Sequence, residues 1–114
     1  DGGNYNACRD LLLAEQDKVV KLNKLQQTEF AYRMARACDK TGQWEFAIKF
    51  YHMVMNSGME NQLYYPSYSA YYLGMIYLQQ NNKLLADRYF KICSQMKSPV
   101  YQESIHRKAI NQMN

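Results

Sequence analysis

One apolar spacing is written twice in this chain. Ala47, Phe50, Tyr51 and Val54 stand at offsets of zero, three, four and seven, and Ala86, Tyr89, Phe90 and Cys93 repeat those offsets 39 residues later. Such a set lies along one stripe of an α-helix. A turn residue stands five positions before each leading Ala, Gly42 in one copy and Asn81 in the other. Stepping back 40 residues from Ala47 reaches Ala7, preceded by Gly2 at the same interval and followed by Leu11 and Ala14 at offsets four and seven. A third copy, half missing, is therefore expected at the start of the chain.

Each complete copy also carries an earlier helix. "FAYRMARACDK" places Ala31, Met34, Ala35 and Cys38 on one stripe, and "SAYYLGMIYLQ" places Ala70, Leu73, Gly74 and Tyr77 at the same offsets. Ala35 and Gly74 share the third offset, where a small residue lets a neighbouring helix approach. Gly within a helix costs roughly 1 kcal/mol relative to Ala, so Gly74 is expected to have a packing reason. Each copy reads as helix, tight turn, helix. Two antiparallel helices cannot bury their apolar faces alone, so the copies must stack.

This pattern resembles the tetratricopeptide repeat (TPR), with small residues at its eighth, twentieth and twenty-seventh positions and aromatics at its eleventh and twenty-fourth. Counted from Ser67 these are Gly74, Ala86, Cys93, Tyr77 and Phe90, with Leu73 at the seventh. Counted from Thr28 they are Ala35, Ala47, Val54, Cys38 and Tyr51, with Cys38 in place of an aromatic and Val54 in place of a small residue. The resemblance implies an all-α, right-handed α-α superhelix of TPR-like hairpins. The 39-residue step exceeds the usual 34, and the link "SGMENQLYYP" accommodates the excess.

The tail resembles the C-terminal end of large, uncharacterised bacterial TPR-like proteins, through Tyr101, Ser104, Ile105, Lys108 and Ala109. Tyr101, Ile105, Ala109 and Met113 form one apolar stripe opposite Gln102, Glu103, Arg107, Lys108 and Asn111, as a terminal capping helix requires. The expected organisation is one TPR-like domain fragment over 1–114. It comprises the second helix of a truncated repeat plus a link over 1–23, a repeat over 24–58, a repeat over 66–97 and a capping helix over 100–114. No Gly or Pro interrupts "EQDKVVKLNKLQQTEF", and the need for the chain to reverse favours a break near Lys21 to Lys24. "DGGNYNAC" opens in a turn, and the chain reads as an excised piece of a longer protein.

Composition excludes several classes. The net charge of +4 is spread out, without the clustered basic stripe of a nucleic-acid binder. The longest uncharged run, Asn61 to Asn82, is broken by Pro66 and amides, so membrane insertion is not expected. Cys8, Cys38 and Cys93 are odd in number and lack C-x-x-C spacing. They read as buried thiols rather than a disulfide framework or zinc site, which favours a reducing, cytoplasmic compartment. His52 reads as surface or satisfied packing, and His106 beside Arg107 as solvent-exposed. Neither has metal-ligand companions. The carboxylates Glu45, Glu60, Asp87 and Glu103 are dispersed, and no phosphate-cradling Gly-rich loop is present. No catalysis, cofactor or metal is expected.

The informative feature is aromatic. Of eleven tyrosines, Tyr64, Tyr65, Tyr68, Tyr71 and Tyr72 fall within one uncharged stretch. Neighbours on one helix cannot all enter the same seam. In the TPR family the second, fifth, ninth and twelfth positions of the first helix line a concave groove. The resemblance assigns that role to Tyr68, Tyr71, Met75 and Leu78 in one repeat, and to Glu29, Tyr32, Arg36 and Asp39 in the other. It implies a non-catalytic scaffold that takes a peptide or protein segment, with Arg36 orienting it and self-association open at exposed repeat ends. Two other readings compete: a purely structural cap of a larger repeat protein, or an accessory domain of an enzyme whose catalytic part lies outside this chain.

Overall fold

The computed structural model describes residues 23–60, 62–96 and 103–113. Among these, every regular element is an α-helix: α1 (Lys24–Lys40), α2 (Trp44–Met55), α3 (Tyr65–Gln79), α4 (Lys83–Gln95) and α5 (Glu103–Met113). The truncated copy expected before Asn23, and Tyr101 at the head of the tail stripe, lie outside the described residues.

A capping box starts α1 where neither Gly nor Pro marks a boundary. The Asn23 side chain accepts from the Gln26 backbone N–H at 2.8 Å, and the Gln26 side chain accepts from the Asn23 N–H at 3.3 Å. Two of the helix's orphan donors are thereby satisfied. The two tight turns are built alike. Gly42 (φ 77°) and Asn81 (φ 62°) both take the left-handed conformation. After each, the next N–H reaches back five residues, from Gln43 to the Cys38 carbonyl (2.7 Å) and from Asn82 to the Tyr77 carbonyl (2.9 Å). With the shorter bonds Gly42 to Asp39 and Asn81 to Leu78, both 3.1 Å, these are Schellman motifs. Gly and Asn are the residues that enter this conformation at least cost. The Asn82 side chain then caps α4 through the Leu85 N–H.

Successive helices pack in order, and α3 also touches α1 and α5. A first core cluster joins Ala31, Met34, Ala35 and Cys38 of α1 to Ala47, Phe50, Tyr51 and Val54 of α2 and to Leu73 and Ile76 of α3. A second joins Ala70 of α3 to Ala86, Phe90 and Cys93 of α4 and to Ile105 and Ala109 of α5. The stripes read from sequence are buried, except that Tyr77, Tyr89 and Met113 are only partly so. Lys83 ties the far end of α5 to α4, its ammonium donating to the carbonyls of Gln112 and Met113 at 3.3 and 3.4 Å. A cation there faces the negative end of the α5 dipole.

Gly74 sits where α3 crosses α4. A Cβ added to it would lie 2.5 Å from Phe90 Cε1, and Phe90 is fully buried with nowhere to retreat. We predict that Gly74→Ala destabilises the fold by about 1–3 kcal/mol, with Gly74→Leu worse. Combining Gly74→Ala with Phe90→Leu should recover part of the loss, because the smaller side chain vacates the contested space. Urea melts of the four-membered cycle check this, and strictly additive losses would show that the two residues do not share that space.

Candidate functional site

The face shared by α1 and α3 holds three of the residues to which the repeat pattern assigns a groove, Tyr32, Arg36 and Asp39. Its centre is Tyr51 of α2, whose ring is fully buried between the two helices. The Tyr51 hydroxyl donates to Asp39 Oδ2 at 2.8 Å and accepts from Arg36 Nη1 at 3.1 Å. Arg36 also reaches the same Asp39 oxygen at 3.4 Å, and its guanidinium lies over the Tyr72 ring, 3.8 Å from the centroid. Tyr72 in turn stacks on Tyr51, with centroids 5.6 Å apart. One helical turn separates Arg36 from Asp39, so both sit above the point where Tyr51 emerges from the seam.

Burial favours the neutral phenol and pushes the Tyr51 pKa well above its usual value, although the Arg36 hydrogen bond pulls the other way. Tyr32 is raised for the same first reason, with Tyr72 adding to it. Burial alone would lower Arg36, but its bond to Tyr51 raises it overall. At neutral pH both phenols carry their protons, so Asp39 is the anion that balances Arg36. Arg36 is therefore already held by internal partners, Tyr51 and Asp39. Its Nη1 is engaged, while no hydrogen bond to Nη2 or Nε occurs among the described residues.

The other assigned residues divide between two environments. Tyr32 stacks on Tyr65 with centroids 4.4 Å apart and planes at 18°, and meets Tyr64 edge-on at 6.4 Å. Tyr64 also meets Tyr65 and Tyr68 edge-on and remains 41 % exposed, which makes it the open end of this aromatic strip. Glu29 pairs with Arg33 on the outer surface of α1. Tyr68, Tyr71, Met75 and Leu78 pack instead against the second cluster, which includes Ile105 and Ala109 of α5. Tyr71 contacts Phe90 at 5.8 Å and Tyr72 at 5.6 Å. Tyr32 and Tyr71 thus belong to different clusters, with Tyr72 between them. The repeat positions mark Tyr51 as a packing aromatic only and do not mark Tyr64 or Tyr72. The charge-free run from Tyr64 to Tyr72 was the available signal for those two, and for the Tyr51 hydroxyl there was none.

Two residues, Cys38 and His106, depart from their plain readings, whereas Cys93 and His52 do not. Cys38 is disulfide-bonded rather than a buried thiol, whereas Cys93 is a buried free thiol whose Sγ lies 3.9 Å from the Ile105 carbonyl. His106 is not simply exposed: its Nε2 is buried and makes no hydrogen bond among the described residues. His52 is half-buried, with Nε2 3.3 Å from the Tyr89 hydroxyl and the two rings edge-on. No group of three or more His, Cys, Asp or Glu among the described residues could hold a metal ion. No described helix is long and apolar enough to cross a membrane. Compared with known proteins, the chain matches no family model, no curated protein and no solved structure.

Burial lowers the His52 pKa from 6.5. The folded chain therefore binds fewer protons there than the unfolded chain, so the stabilising contribution is complete above pH 6.5 and is lost as pH falls toward the folded value. An NMR titration should place the His52 imidazole midpoint below 6.5, and His52→Gln should remove part of the drop in melting temperature on acidification through that range. A midpoint at or above 6.5 would contradict the burial argument.

Proposed function

We propose that this chain is a non-catalytic, TPR-like helical-repeat scaffold that holds a peptide or protein segment against the α1–α3 face. The helical hairpins, their matching turns and the contacts α1–α3 and α3–α5 support the superhelical reading. The observation that carries the function is the aromatic group of Tyr32, Tyr65 and half-open Tyr64, beside which Arg36 is fixed over the Tyr72 ring. Tyrosines and arginine concentrate binding energy when they are pre-positioned and partly desolvated. The alternative of a purely structural cap has its own support in the second repeat, where Tyr71, Met75 and Leu78 pack with the cluster that includes α5. On this reading the binding face is the one between the repeats, not the one beside the tail.

Selection of peptides from a random display library, followed by amide chemical-shift mapping, tests the proposal. Bound peptides should perturb Tyr32, Arg36, Tyr64 and Tyr72 ahead of α2 and α4. Tyr64→Ala should weaken them by about 2 kcal/mol, roughly thirtyfold, while lowering the melting temperature less than Tyr51→Ala does, because Tyr64 is 41 % exposed and Tyr51 is fully buried. Failure to select any binder, or shifts confined to the α2 and α4 surfaces, would remove the groove reading.

A further inference from the structure

We infer that this chain folds and works in an oxidising compartment, with a disulfide at Cys38 as a fixed part of its framework. Cys38 is fully buried in the first core cluster and is disulfide-bonded. Cys93 is free, so the partner of Cys38 lies outside the described residues. Within one chain the remaining cysteine is Cys8. Disulfides form and persist in secreted, periplasmic or luminal settings, and are rare where glutathione and thioredoxin keep thiols reduced. This reverses the compartment suggested by the odd cysteine count.

Two features protect the Cys38 end of the bond from exchange. A disulfide is opened by a thiolate that reaches one of its sulfurs, and the Cys38 side chain has no solvent exposure through which one could arrive. The chain's own free thiol is not such an attacker. Cys93 lies in the other core cluster, and burial pushes its pKa up to about 12, which leaves almost no thiolate at neutral pH.

Bond formation removes two protons and two electrons from two thiols. A disulfide oxidant accepts them through a mixed disulfide and leaves as its dithiol.

The test is to count free thiols by mass spectrometry after acid trapping and alkylation in denaturant, on chain isolated from the cells that make it. The expected result is one labelled cysteine, Cys93, before reduction and three after it. In a glutathione redox buffer the purified chain should form the same bond, mapped to a Cys38 peptide. The oxidised form should melt at least about 5 °C above both the reduced chain and Cys38→Ser. If Cys38→Ser does not fold, the reduced wild-type chain alone supplies that comparison. Three labels without reduction, a bond that includes Cys93, or equal melting of oxidised and reduced chain would each overturn the inference.

Discussion

The approach of Phe90 to the bare backbone of Gly74 is the contact on which the rest of this structure depends. It lets α4 lie close against α3 while α3 keeps its other side for α1 and α2. A helix in that position cannot be amphipathic in the ordinary sense, because it has neighbours on both flanks. Its sequence is accordingly apolar or small nearly all round, with Leu73 and Ile76 in one cluster and Ala70 in the other. A larger residue at position 74 would push α4 outward and with it Cys93, which contacts the Ile105 carbonyl of α5. The placement of the last helix therefore follows from a side chain that is missing in the third.

Much of this was legible in the residue order. Periodicity within a helix is a local property, so the stripes of α1 and α2, the small residue at 74 and the equivalent turns at Gly42 and Asn81 could be read directly. Which stripe meets which is a property of pairs of helices, and spacing does not encode it. That is why Tyr32 and Tyr71, equivalent by position, enter different clusters: one has α3 beside it, the other α4 and α5. Hydrogen bonds across the seam were hidden for the same reason. Tyr51 stands on a stripe with Ala47 and Val54 and reads as plain core, yet its hydroxyl extends past the apolar layer to Asp39 and Arg36 on another helix. The bonded state of Cys38 depends on a partner distant in sequence, which an odd count and irregular spacing could not supply. The buried Nε2 of His106 shows that a residue beside exposed Arg107 can still turn one edge of its ring inward.

The Arg36–Tyr51–Asp39 group also explains how a polar cluster can sit at a helix junction without weakening it. A buried phenol hydroxyl left unpaired would cost on the order of 1–3 kcal/mol. Here the hydroxyl both donates and accepts, and the carboxylate takes donors from the phenol and the guanidinium. The guanidinium covers the Tyr72 ring, an arrangement that holds its position without a second carboxylate. Each member is positioned by another, and all three helices of the first cluster contribute to the group or to the ring beneath it.

The same arrangement sets the character of the face. Burial keeps the phenols of Tyr32 and Tyr51 protonated at any ordinary pH, Asp39 balances Arg36 and Glu29 balances Arg33, so the described part of the strip carries little net charge. Long-range attraction would then contribute little to an encounter, and affinity would rest on contact area and on placed hydrogen bonds. Such a surface gains most when its side chains are already immobile, since ordering each flexible side chain on binding costs about 0.5–1.5 kcal/mol. Tyr32, Tyr65 and Tyr72 are held by stacking on one another or on core residues before any partner arrives. Tyr64, at the open end, meets Tyr32, Tyr65 and Tyr68 edge-on and is 41 % exposed. Its ring is the part of the strip where a partner could add area without disturbing the packing that holds α1 to α3.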